Sequence, residues 1–138
     1  MPRAILDGNV LVSALITPAG APARLLAEFR SGAFELVVSP QLLNELRDVL
    51  GREKIRRYVS PSEADAYVDL SCRDSIVCED PEPSGELIGL DPDDQYLIDL
   101  ARSAQVDVIV SGDARLLDMS RVWPLVTPAA FLASLATS

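Results

Sequence analysis

The sequence predicts an α/β fold of three layers, α/β/α, around a mostly parallel central sheet. Three observations lead there. Short stretches at 3–7, 34–38, 75–78 and 106–110 are rich in Val, Ile and Leu and have the length of buried strands. Between them, apolar residues recur at helical spacing. Strands and helices alternate, which is the pattern of parallel crossover units. The chain has 138 residues, the size of one domain, here 1–138, and such a domain buries roughly 70% of its unfolded surface.

The elements follow in order. Arg3-Ala4-Ile5-Leu6-Asp7 is the first strand. Asn9 is placed to cap a helix through Val10–Leu15, which Thr17-Pro18-Ala19-Gly20 stops. A second helix follows Pro22, with Leu25, Leu26 and Phe29 on one face and Gly32 at its end. After the strand Phe34–Val38, Ser39-Pro40 supplies an N-cap and a first-turn proline. Leu42, Leu43, Leu46, Val49 and Leu50 make the apolar stripe of that third helix. Glu45 falls about 40° from Val49 at 100° per residue, at the stripe's margin, while Asp48 points further out. Gly51 closes the helix, and Arg52, Lys54, Arg56 and Arg57 form a basic segment.

Ser60-Pro61 opens a helix through Ala64, Tyr67, Val68 and Leu70, and Ser75–Cys78 is a strand. Glu79 to Asp93 holds Pro81, Pro83, Gly85, Gly89 and Pro92 and reads as a loop. Asp93-Asp94 begins a helix with Leu97, Leu100, Ala101 and Ala104 at helical spacing. Val106–Val110 is a strand, Asp113–Met119 a short helix, Leu125-Val126 an edge strand and Pro128–Leu135 a last helix.

Composition narrows the chemistry. The chain has no histidine, which excludes Ser-His-Asp and Cys-His catalysis. Cys72 and Cys78 are too few for a disulfide framework or a zinc site and read as reduced thiols. The net charge is −9. Seven acids without a base crowd Glu79, Asp80, Glu82, Glu86, Asp91, Asp93 and Asp94; without them 14 acids face 12 bases, a charge of −2. The acidity is therefore mostly local, and a basic contact for a polyanion is compatible with it. Asp7 and Asn9 interrupt the first apolar region, leaving only Val10–Ile16, at the lower limit of a signal core. No run approaches the ~20 apolar residues of a membrane span. The expected location is the cytoplasm, with no membrane.

Four acids stand out as sitting where an element begins or ends: Asp7, Glu45, Asp94 and Asp113. If the first strand and Val106–Val110 are parallel neighbours, Asp7 and Asp113 leave the sheet at the same edge, where open α/β sheets bind ligands. Gathered carboxylates repel, so a cation belongs among them, and an oxygen-only set favours Mg²⁺ or Mn²⁺. Each acid also has a plain structural reading: a cap for Asp94 and Asp113, a helix margin for Glu45. Asp7 resists one, because a charge directly after a buried strand costs free energy unless compensated. Carboxylates on fixed elements, with neither histidine nor cysteine, suit phosphodiester hydrolysis by two divalent ions.

Five segments carry a resemblance: Ile5-Leu6-Asp7-Gly8-Asn9-Val10-Leu11-Val12-Ser13-Ala14-Leu15, Ser39-Pro40-Gln41-Leu42-Leu43-Asn44-Glu45-Leu46, Asp91-Pro92-Asp93-Asp94 with Ala101 beyond it, Val110-Ser111-Gly112-Asp113-Ala114-Arg115-Leu116-Leu117, and Thr127-Pro128-Ala129-Ala130-Phe131-Leu132. In this order they resemble PIN-domain proteins, and among these the VapC-like toxins of bacterial toxin–antitoxin pairs. The resemblance implies a Mg²⁺- or Mn²⁺-dependent ribonuclease restrained by a small antitoxin and commonly dimeric. It matches Asp7, Glu45, Asp94 and Asp113 to the family's catalytic and metal-holding quartet, with Asn9 and Ser111 in support. One position departs. Where the family usually has Thr or Ser after the first Asp, this chain has Gly8, and the hydroxyl that would orient water or bond a carboxylate is missing.

The expected substrate is RNA, with Arg52, Lys54, Arg56 and Arg57 as phosphate contacts and a solvated helix face as the alternative for these four. Two rival readings remain. A haloacid-dehalogenase-type phosphatase fits Asp7 and Gly112-Asp113 with Asp118, but it needs an acid at position 9 and a lysine, and Lys54 is the only lysine. A catalytically degenerate interaction module fits Gly8.

Overall fold

β1 (Arg3–Leu6), β2 (Glu35–Val38), β3 (Ile76–Val77), β4 (Val108–Val110) and β5 (Leu125–Val126) form one sheet in the order β3-β2-β1-β4-β5. Every adjacent pair is parallel. The structure is a computed structural model and describes residues 1–83, 91–120 and 122–136. Gly85, Glu86 and Gly89 of the expected acidic loop lie outside the described residues; 79–83 have no regular structure.

Strand alternation sorts the core into two halves. Ala4, Leu6, Leu36, Val38, Val108 and Val110 face one way, into a cluster with α1 (Gly8–Ile16), α2 (Ala21–Arg30), α3 (Pro40–Leu50), α5 (Pro61–Arg73) and α8 (Pro128–Ala136). Ile5, Val37, Ile109 and Leu125 face the other way, against α6 (Pro92–Ala104) and α7 (Ala114–Leu117). This is the expected three-layer arrangement. The short α4 (Glu53–Arg56) buries no residue. Inside the first cluster the Tyr67 hydroxyl donates to Leu11 O at 2.7 Å, and burial pushes this phenol up to about 12.

Two local expectations are corrected. Asn9 does not cap α1: the N-cap is Asp7, the helix begins at Gly8, and Asn9 sits inside the first turn. The Val10 and Leu11 amides reach the Asp7 carbonyl at 2.8 and 3.2 Å, so the strand turns into the helix without a linker. Asp94 does not begin α6 either: Asp91 caps it, accepting from the Asp93 amide at 2.9 Å. Among the described residues no single helix is long and apolar enough to cross a membrane. α1 and α2 pass that test only as a pair, bent by 95°, and their apolar faces lie in the core.

The chain runs from β1 to β2 on one side of the sheet and later places β4 on the other side of β1. The C-terminal ends of β1 and β4 therefore flank a switch of strand order, where a crevice opens above an α/β sheet.

Candidate active site

At that switch the sheet sets the spacing. Leu6 is in register with Val110, and the Asp7 amide donates to Val110 O at 2.9 Å. Asp7 and Ser111 thus leave neighbouring strands side by side. Ser111 is fully buried, and its hydroxyl donates to Asp7 Oδ2 at 2.9 Å while accepting from the Asp113 amide at 3.0 Å. One hydroxyl thereby fixes both acids. Asp113 also caps α7, accepting from the Arg115 amide at 2.9 Å. Its structural reading holds, and its position in the cleft is compatible with a second role.

Glu45 and Asp94 come from two helices. Glu45 sits in the middle of α3, not at an end, and reaches the others because its face of the helix looks over the crevice. Asp94 lies in the first turn of α6, relieved of capping by Asp91. Asp7, Asn9, Glu45, Asp94 and Asp113 line one cleft of about 340 Å³, with Leu42, Leu46 and Leu97 among its apolar walls. The four expected acids are half-buried, whereas Asp48, Asp91 and Asp93, which also line the cleft, are exposed.

The electrostatics are those of a negative pit. Burial pushes the Asp7 carboxyl above its ordinary value; the Ser111 hydroxyl and the Asn9 and Gly8 amides pull it back, and the charge of Asp113 adds to the rise. Neither amide makes a capping bond to it. Glu45 is raised by burial and then by Asp93, with Asp7 and Asp48 contributing; Gln41, 3.5 Å away, opposes. Asp94 is raised by burial, then by Asp91, Asp113 and Asp7, while Arg115 opposes.

Among the described residues no three acidic or cysteine side chains are drawn together tightly enough to form a finished ion site. The donor set nevertheless suits a hard divalent ion. The four half-buried groups all offer oxygen, and the three raised ones feel each other's or Asp113's charge.

A well-partnered acid stands beside the pit. The Tyr96 hydroxyl donates to Asp80 Oδ1 at 2.6 Å and shares a hydrogen bond with the buried Ser39 hydroxyl. Asp80 Oδ1 also accepts from the Gln41 amide at 3.1 Å, and Ser39 caps α3 through the Leu42 amide. Asp80, read in the sequence as one more loop acid, fastens the starts of α3 and α6. Its carboxyl is held below its ordinary value, mainly by the Tyr96 bond.

The basic segment divides. Arg52 lines the cleft; Lys54, Arg56 and Arg57 do not and lie exposed on or beside α4. Exposure of these three fits the phosphate-contact expectation and the solvated-face alternative alike. Arg115 lines the cleft and was not singled out from the sequence. Its only signal was a position two residues after Asp113.

The family model described as PIN domain matches residues 3–115. The chain belongs to the PIN-domain family. PIN domains are generally nucleases, and the acidic cleft lies inside the matched region. No curated protein matches the chain. Two solved structures share the PIN fold seen here. One is PAE2754 from Pyrobaculum aerophilum, with a TM-score of 0.68, 17% identity, 100% of this chain and 91% of that one. The other is VapBC2 from Rickettsia felis, solved bound to a DNA fragment from its promoter, with a TM-score of 0.68, 13% identity, 91% of this chain and 98% of that one.

Proposed function

We propose that this PIN domain is a metal-dependent endoribonuclease and the toxin of a toxin–antitoxin pair. One observation carries the reading: Asp7, Glu45 and Asp94, from three separate elements, line one cleft, and each is raised by burial and by charges within that cleft. Buried like charges with so few donors destabilise the chain unless a cation joins them.

Asp7, Glu45, Asp94 and Asp113 would hold Mg²⁺ or Mn²⁺, which lowers the pKa of water and neutralises the phosphate. The remaining work belongs to the chain. Ser111 keeps Asp7 and Asp113 in fixed orientation. Asn9 offers a polar side chain at the rim, and the apolar walls limit water. Arg52 supplies positive charge for the phosphodiester of RNA.

The antitoxin is expected as a small separate protein. The pairing in VapBC2 supports it, and an arginine entering the acidic cleft is the contact that chemistry favours. The resemblance to VapC-like toxins, which are commonly dimeric, favours a homodimer, which sedimentation of the purified chain tests. A second reading, a degenerate interaction module, is favoured by Gly8 alone.

Incubating the purified chain with single-stranded RNA decides between them. Cleavage that requires Mn²⁺ or Mg²⁺ and stops with EDTA supports the ribonuclease. No Mn²⁺ binding by calorimetry and no cleavage, with a partner still bound, supports the module.

A further inference from the structure

Among the described residues, Arg52 and Arg115 are the two cations that line the cleft, against seven carboxylates. A phosphodiester entering so negative a site needs positive charge already at its rim, because metal ions at the bottom act only at short range. The basic cluster most visible in the sequence does not stand at that rim: Lys54, Arg56 and Arg57 lie outside the lining.

Arg115 is built for the task. Its amide is pinned to Asp113 Oδ1 at 2.9 Å, so its backbone is fixed relative to that acid. Its side chain is 85% exposed, with Nε 3.9 Å from Asp113 Oδ1. The pair is loose and solvated, so the guanidinium is available to an incoming oxyanion. A guanidinium presents a planar fork of donors that matches two phosphate oxygens. It shares the cleft lining with Asp94 of α6 as well as with Asp113, and its charge opposes the rise of the Asp94 carboxyl.

We propose that Arg115, together with Arg52, grips the backbone phosphates of single-stranded RNA at the rim of the acidic cleft. This rests on the ribonuclease reading and assigns the substrate contact within it. The competing role for Arg115 is that of a counter-ion for Asp113 and Asp94, with no part in substrate binding.

The test uses the full chain carrying Asp7→Asn, so that RNA stays uncut. Fluorescence anisotropy with a labelled mixed-sequence single-stranded RNA is read across a range of NaCl in Mg²⁺. Adding Arg115→Ala should weaken binding about threefold to tenfold, the effect of one exposed charge-assisted contact. The slope of log K against log salt should fall by about 0.7, the share of one phosphate on a single strand. Arg115→Lys should keep the slope, and the triple change Lys54→Ala, Arg56→Ala, Arg57→Ala should leave both quantities unchanged.

If Arg115→Ala binds RNA with the parent's slope and only tightens Mn²⁺ in calorimetry, it is a counter-ion and the inference is overturned. Loss of the slope in the triple change alone overturns it too. If the parent binds no RNA and the unmutated chain cuts none, the ribonuclease reading itself has failed.

Discussion

Glu63 and Asp7 each stand at the start of a helix, and their surroundings treat them oppositely. Glu63 and Ser60 close a capping box at the start of α5, with Ser60 N to Glu63 Oε1 at 3.1 Å and Glu63 N to Ser60 Oγ at 3.2 Å. Glu63 is exposed, and these bonds hold its carboxyl below its ordinary value. Asp7 makes no capping bond, is half-buried and, among the described residues, has one side-chain donor, Ser111. Its carboxyl is raised. Asp80 belongs with Glu63, held down by Tyr96, and Glu45 and Asp94 belong with Asp7. The contrast separates acids that the chain satisfies by itself from acids that it leaves short of partners.

The strongest way to break this contrast is Asp7→Asn. RNA cleavage should fall by more than about a hundredfold, since even outer-shell partners of a metal site cost 10–100-fold. The same variant should melt at a higher temperature at neutral pH, because the amide keeps an acceptor for Ser111 and removes a buried charge. A lower melting temperature would mean that the charge of Asp7 helps to hold the fold.

Next in size is the pH dependence of stability without metal. For Asp7, Glu45 and Asp94 the folded pKa lies above the unfolded one. The folded state therefore binds more protons between those two values, and stability falls as pH rises through that window. For Glu63 and Asp80 the folded value is depressed; their contribution is present above the unfolded value and lost as pH falls through the folded one. Thermal melts from pH 7 downward should show the wild type gaining stability before it loses it. In Asp7→Asn the gain should shrink.

Tyr96→Phe tests the satisfied side of the contrast. It removes the main donor to Asp80 and the hydroxyl partner of buried Ser39, and should cost about 2 kcal/mol, the net value of two such hydrogen bonds. Urea unfolding measures it; a change near zero would make the network incidental.

The smallest change adds a partner to Asp7. A Cβ at Gly8 would meet nothing within 4 Å, so Gly8→Ser fits without rearrangement. It should stabilise the chain by about 0.5–1 kcal/mol through lost unfolded-state freedom. By offering Asp7 a hydroxyl it should also raise the rate of RNA cleavage. An unchanged rate would show that the missing hydroxyl is not what limits this chain.

Much of this was legible from local pattern. Ala4-Ile5-Leu6 and Val108-Ile109-Val110 announce themselves as buried strands, and parallel pairing then fixes where Asp7 and Asp113 emerge. Glu45 was legible through its angle to the apolar stripe. The rest depends on contacts distant in sequence. Asp80 reaches Gln41 and Tyr96 across 39 and 16 positions, and no spacing rule links them. The cap of α1 was misplaced by two residues because Asn9 and Asp7 are equally good capping types; which one stops the strand depends on the bond from the Asp7 amide to Val110. The basic segment was legible as charge but not as direction, so its most crowded part lies away from the cleft while the isolated Arg115 stands on it.

The bond from the Asp7 amide to Val110 has one more consequence. Adjacent strands in any sheet lie about 4.8 Å apart. Hanging Asp7 and Ser111 from neighbouring strands makes their separation a property of the backbone lattice, and the Ser111 hydroxyl passes that spacing on to Asp113. Insertions in the helices or connecting segments would alter what reaches the crevice, and that gauge would stay the same.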